Sequence, residues 1–152
     1  MFNMSFLRSV WVGLALICAQ AVIVAEVPIN LSTAKAAVIC YAGSGEYEQA
    51  LAKTAEEASN WIAARAARPI DGEKLALVLD IDETALTNLP HMRAMDFGYV
   101  SKEWDQWVAE STAPAIGPIL KVYQTARRYG VTVFFITGRK ESNRQGTEKN
   151  LI

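Results

Sequence analysis

The run Leu75-Ala76-Leu77-Val78-Leu79 breaks off abruptly in Asp80-Ile81-Asp82-Glu83-Thr84. Consecutive apolar residues without alternation predict a strand buried on both faces. An unpaired carboxylate is costly to bury, so the end of such a strand must open onto a crevice. A second run, Val131-Thr132-Val133-Phe134-Phe135-Ile136, is β-branched and aromatic and predicts another buried strand. It ends in Thr137-Gly138-Arg139. In parallel α/β sheets ligands bind at the carboxyl ends of the strands. The two runs, expected as neighbours, bring an acidic pair and a Thr-Gly pair to one such end.

The rest of the chain supports that architecture. Tyr47, Leu51, Ala55, Ala58, Trp61 and Ile62 recur at three- and four-residue intervals and predict a helix over Glu46 to Ala67, capped by Ser44 and stopped by Pro69. Ala34 to Tyr41 fits a short helix or a strand. Ala85 to Val100 reads as a loop containing Pro90, His91 and Gly98. Ser101 caps a short helix, Lys102 to Glu110, in which Trp104, Trp107 and Val108 share a face. Pro118 opens a further helix that Gly130 closes. Glu141 to Leu151 forms a last helix. Strands alternating with helices imply a parallel sheet with right-handed crossovers.

Length and composition set limits. A chain of 152 residues, 51% hydrophobic and 20% charged, can bury one sizeable core. A net charge of −1 gives no basis for broad nucleic-acid binding. Residues 1–25 have the layout of a secretory signal peptide: Arg8 near the start, an apolar stretch from Val10 to Val24, then small residues at Ala19-Gln20-Ala21 or at Ile23-Val24-Ala25. The stretch is shorter than the ~20 residues a membrane span needs, so no stable span is expected after cleavage, and an exported protein, periplasmic or secreted, is. Of the two cysteines, Cys18 lies in this segment, and Cys40 reads as a small buried residue.

The strand ends suit phosphoryl transfer. Asp80 can attack phosphorus as a carboxylate, giving an aspartyl-phosphate. Asp82, two residues on, can protonate the leaving oxygen and later activate the hydrolytic water. Two close carboxylates favour such a division of labour, because like charges oppose double ionisation. Oxygen ligands beside a phosphate suit Mg²⁺. Thr137 can donate its hydroxyl to a phosphoryl oxygen, and Gly138 admits backbone amides at the start of the next helix. Arg139 either adds positive charge or stays on the surface. A calcium loop is excluded, because its sixth and twelfth positions would be Ala85 and His91 rather than Gly and Glu.

LVLDIDET and FFITGR resemble the first and second motifs of the haloacid-dehalogenase-like superfamily. The second Asp points to its phosphatases. SGEYEQAL, NWI, LDIDETALTN, the FGYV and EWDQWV insert, PAIGPIL and TGRKESNRQGTEKNL together resemble the secreted, class B-type acid phosphatases of subfamily IIIB, a group that includes plant vegetative storage proteins. The resemblance implies an α/β, Rossmann-like parallel sheet with flanking helices and a small helical cap at about 85–117, within a domain over 26–152. It also implies Mg²⁺-dependent hydrolysis of small phosphomonoesters, nucleotide or aromatic phosphates among them. By the motifs, Asp80 is nucleophile and metal ligand. Asp82 is acid/base and binds the metal through its carbonyl. Thr137, with Gly138 and Arg139, binds the phosphoryl group. Phe97, Tyr99, Trp104 and Trp107 either stack on substrate or form the core of the cap. His91 is expected as an exposed loop residue. The family's later lysine and acidic pair have no counterpart up to Ile152, so the fold is expected to be incomplete at the C-terminus. The alternative reading is a non-catalytic storage or binding protein of the same fold.

Overall fold

A computed structural model describes residues 29–152. The signal segment, Cys18 and the first residues of the expected domain lie outside the described residues. The elements run α1 (Leu31–Gly43), α2 (Glu46–Ala66), β1 (Ala76–Leu79), α3 (Leu89–Ala94), α4 (Ser101–Glu110), α5 (Gly117–Arg128), β2 (Thr132–Phe135), a 3₁₀ turn (Glu141–Asn143) and α6 (Arg144–Leu151).

β1 and β2 pair in parallel, with Ala76 beside Thr132 and Leu79 beside Phe135. The strands are neighbours, as their sequences imply, and both run toward the same end. The main core lies between this pair and two helices. Ala55 and Ile62 of α2 meet Val122 and Ala126 of α5 and Val131 just before β2, with Leu75, Leu77 and Val133 packed against them. A smaller core of Ile81, Leu86 and Ala113 sits under the strand ends, joined by Trp107, Phe135 and Leu151.

Four expectations are corrected. The strands are not buried on both faces: Val78, Phe134 and Ile136 are 56%, 54% and 64% exposed. Among the described residues helices cover only the face that carries Leu77 and Val133. Trp61, at 68% exposure, leaves the α2 stripe, whose buried members are Ala55 and Ile62. One position along a helix turns a side chain by about 100°, which is enough to move Trp61 off the buried line. Cys40 is exposed, because α1 buries no residue of its own. The 85–100 segment is not all loop, since Pro90 sits in the first turn of α3, where its missing N–H costs nothing. The ambiguous stretch before Gly43 is helical, and Asn30 caps it by accepting the Ser32 N–H at 2.9 Å.

The segment between the strands departs and returns at one place. The Ile116 N–H donates to the Ala85 carbonyl and the Thr87 N–H to the Pro114 carbonyl, both at 2.9 Å. This two-rung seam closes the excursion that carries α3 and α4. Its far side is fastened to α6. Ala113 N–H donates to Asn150 Oδ1 at 3.0 Å, and Asn150 Nδ2 returns a bond to the Ala113 carbonyl at 2.8 Å.

Candidate active site

The loop after β1 is a tight turn around one carbonyl. Ile81 C=O accepts from the N–H groups of Thr84, Ala85 and Leu86 at 3.3, 2.9 and 2.9 Å. Glu83 takes a left-handed backbone with φ of 54°, which is costly for a residue with a Cβ. Its carboxylate offsets that cost locally by accepting from the Asn88 N–H and, at 3.2 Å, from the Thr87 hydroxyl. The turn leaves Asp80 exposed at the strand end, with no hydrogen-bonding partner among the described residues.

Asp82 is held instead of free. Its Oδ1 accepts from Asn88 Nδ2 at 2.9 Å, from Arg139 Nε at 3.0 Å and from Arg139 Nη2 at 2.7 Å. Its Oδ2 has only longer contacts, 3.2 Å from Arg139 Nε and 3.5 Å from the Thr137 hydroxyl. Thr137 also accepts the Arg139 N–H at 3.1 Å, so the start of the second loop is stitched to itself and then to Asp82. The structure therefore joins Asp82, Thr137 and Arg139 across more than fifty residues of sequence.

Arg139 is no surface residue. Its side chain is 3% exposed, while that of Asp82 is 30% exposed. Nη1 donates to the Thr147 hydroxyl of α6 at 3.1 Å, and the guanidinium carbon lies 5.6 Å from the Trp104 ring centroid. Gly138 is exposed, and a Cβ built on it would meet nothing within 4 Å. The helix expected to start beside it begins with the 3₁₀ turn at Glu141, and α6 follows at Arg144.

Sequence reasoning missed Asn88. It is buried, and its amide bridges two parts of the site: Nδ2 donates to Asp82, and Oδ1 accepts from Trp107 Nε1 at 2.9 Å. An asparagine just after Asp-x-Asp-x-Thr carries no local signal for this, because its second partner lies 19 residues on. His91 is a half-buried member of an aromatic cluster on α3 and α4, stacked on Trp107 at 5.5 Å between centroids and edge-on to Trp104 at 5.8 Å. Tyr99 stands 6.4 Å from Trp104. Trp104 and Trp107 are thus engaged with His91, Arg139, Asn88 and the smaller core.

The structure adds an ion pair, Arg139 with Asp82, to the two close carboxylates. Asp82 is matched by a buried guanidinium, and Asp80 is the carboxylate left open. Both metal candidates offer hard oxygen, but only Asp80 has a side chain to spare. No cluster of three or more His, Cys, Asp or Glu able to hold a metal exists among the described residues.

A parallel strand pair ending in an acidic loop beside a Thr-Gly loop, with a helical excursion between them, defines an α/β fold of the haloacid-dehalogenase-like class. Within that class the chain belongs to the HAD superfamily, subfamily IIIB (acid phosphatase), whose sequence pattern matches residues 14–152. Two solved structures of the class C acid phosphatase from Bacillus anthracis are similar. One has a TM-score of 0.66 at 27% identity, over 81% of this chain and 53% of that one. The other, with tungstate bound, has a TM-score of 0.65 at 30% identity, over 80% and 50%. Acid phosphatase 1 of Solanum lycopersicum is 42% identical over 78 residues, 49% of this chain and 31% of the tomato protein. The stem 28 kDa glycoprotein of Glycine max is 33% identical over 81 residues, 51% of this chain and 32% of the soybean protein. The match spans about a third of the plant relatives and about half of the solved chains.

Proposed function

We propose that this chain carries the nucleophile-bearing part of an exported acid phosphatase that hydrolyses small phosphate monoesters through an aspartyl-phosphate on Asp80. The supporting observation is the contrast between its two carboxylates. Asp80 is exposed at the strand end and has no hydrogen-bonding partner among the described residues, whereas Asp82, two residues on, is held by Arg139 and Asn88. A nucleophile must be free to attack, and an acid/base must be fixed in direction. Tungstate in a similar structure supports a site for a tetrahedral oxyanion.

In this mechanism a carboxylate oxygen of Asp80 attacks phosphorus, and the ester oxygen departs with its electron pair. Asp82, which enters this step with a proton on Oδ2, gives that proton to the leaving oxygen. Water then attacks the aspartyl-phosphate, Oδ2 takes its proton, and Asp80 is released with inorganic phosphate. Oδ2 suits this work because Oδ1 is already saturated with three donors. The Thr137 hydroxyl is the phosphoryl donor, since its 3.5 Å contact to Asp82 is at the outer limit of a hydrogen bond and is readily exchanged. Gly138 leaves room for a phosphate beside the backbone.

The donors present fit a divalent cation in kind, and Mg²⁺ above all, since it takes few protein oxygens and keeps substrate and water oxygens. The Asp80 carboxylate and the Asp82 carbonyl would hold it, and its charge would offset the repulsion between Asp80 and the phosphate. Nucleotide and aromatic phosphates are the proposed substrates. No helix among the described residues is long and apolar enough to cross a membrane, and export rests on the apolar segment that precedes them.

The test is Asp80→Asn, assayed on a phosphomonoester with Mg²⁺ present. Turnover should vanish, with Thr137→Ala less severely impaired. In the unsubstituted enzyme, rapid acid quench and mass spectrometry should find phosphate on the peptide containing Asp80. Near-normal turnover in Asp80→Asn would overturn the assignment.

A further inference from the structure

We infer that Arg139 is a positioning residue for Asp82 rather than a ligand of the substrate phosphate. The inference rests on the acid/base role proposed for Asp82.

An arginine that receives a phosphate must present its N–H fork to the substrate. Here the arginine is the buried partner and the aspartate the open one, 3% against 30%. Arginine has five N–H donors in a fixed fork. The Nε donor and one on Nη2 go to Asp82, and one on Nη1 goes to Thr147. The guanidinium carbon lies over the Trp104 ring. Such a plane cannot turn toward a substrate without giving up the ion pair, the hydroxyl and the ring together.

A carboxylate on one χ2 bond can turn either oxygen toward a substrate. Arg139 Nη2 and Asn88 Nδ2 both grip Oδ1, so the torsion is set and Oδ2 is the oxygen left for proton transfer. The brace comes from three directions: the second loop through Arg139, α6 through Thr147, and α4 through Trp104 and, by way of Asn88, Trp107. The helical excursion thereby contributes to the site through Trp107 on Asn88 and Trp104 beside Arg139.

The role predicts a dependence on the leaving group. An alkyl phosphate needs its leaving oxygen protonated, and 4-nitrophenyl phosphate scarcely does. In Arg139→Gln, kcat/KM, which reports the step in which the leaving oxygen departs, should fall at least about tenfold further on an alkyl phosphate than on 4-nitrophenyl phosphate, with inhibition by inorganic phosphate changed less than about twofold. Asp82→Asn should show the same bias. Thr147→Val, which removes one brace and leaves Asp82 untouched, should show it in weaker form. Added guanidinium should restore part of the alkyl phosphate turnover of Arg139→Gln. An equal loss on both substrates with a raised inhibition constant for phosphate would overturn the inference, because a phosphate ligand behaves that way.

A second measurement needs neither turnover nor a folded Arg139 variant. The Nε–Hε resonance of Arg139 in the full chain should be protected from exchange. It should shift in Asp82→Asn and stay in place on addition of Mg²⁺ and inorganic phosphate. A signal that moves with phosphate and ignores Asp82→Asn would refute the positioning role. Failure of the phosphatase reading itself shows separately, as retained turnover in Asp80→Asn.

Discussion

At Gly146 the backbone of α6 lies close against that of α4, and replacing it by alanine tests how the helical excursion is fastened to α6. A Cβ added there would lie 2.4 Å from the Val108 carbonyl oxygen, 3.0 Å from its carbon and 3.1 Å from Ala109 Cα. Ordinary contact begins near 3.4 Å, so the helices must part by about 1 Å. Every atom met is backbone, so no side chain can swing aside. Overpacking of this kind costs about 1–3 kcal/mol, and the upper end applies when two backbones must separate. Alanine's better helix propensity offsets about 1 kcal/mol, leaving a net loss of about 2 kcal/mol. For a chain of this size that is a fall in Tm of about 4–8 °C, read by far-UV circular dichroism. The Ser111 hydroxyl, which donates to the Gly146 carbonyl at 3.0 Å, should loosen in the same variant. Gly117→Ala is the control, since a Cβ there meets nothing within 4 Å, and its Tm should hold or rise slightly. An unchanged or raised Tm in Gly146→Ala would refute the close crossing.

The two neighbours on α2 should separate cleanly: Ile62→Ala should cost about 2–4 kcal/mol by equilibrium denaturation, as a buried branched side chain does, and Trp61→Ala about 0.5 kcal/mol or less. Equal losses would mean that the buried face of α2 has been misassigned. Tyr47 gives a pH dependence. Burial first, then the nearby charge of Glu83, pushes its phenol above the ordinary value of 10.0. The folded chain thus holds that proton more tightly than the unfolded chain, so its contribution is complete below pH 10 and is lost as pH rises through the raised value. Tyr47→Phe should flatten the loss of stability above about pH 10 relative to the parent, and parallel curves would remove Tyr47 as the cause. Export predicts a mature N-terminus after Ala21 or Ala25 when the gene is expressed in a bacterial host, checked by mass spectrometry of the periplasmic fraction. A retained Met1 would count against it.

Local pattern and spacing were enough for the parallel pair, the helices that precede and follow each strand in sequence, and the placement of Asp80 and Thr137 at one end. Those properties follow from backbone geometry: an unbroken apolar run extends, a three-and-four stripe coils, and the residues just past a strand emerge at its carboxyl end. The likeness of the motif words carried the family. What a residue does once the strands meet depends on partners far away in the chain, and only the tertiary structure decided it. Arg139 could equally have been a surface charge until the loop after β2 turned it onto Asp82, 57 residues earlier. Asn88 and Trp107 meet because α3 and α4 fold back over the strand ends, and the same fold-back draws His91 out of an expected loop and into an aromatic stack. Trp61 and the faces of Val78, Phe134 and Ile136 stay exposed, because hydrophobicity states a preference for burial and the packing of neighbours decides which side chains obtain it. The acidic pair was legible as two carboxylates at a strand end. That one is free and the other held is a property of the folded chain, since it takes a buried guanidinium, an amide and two loops to tell them apart.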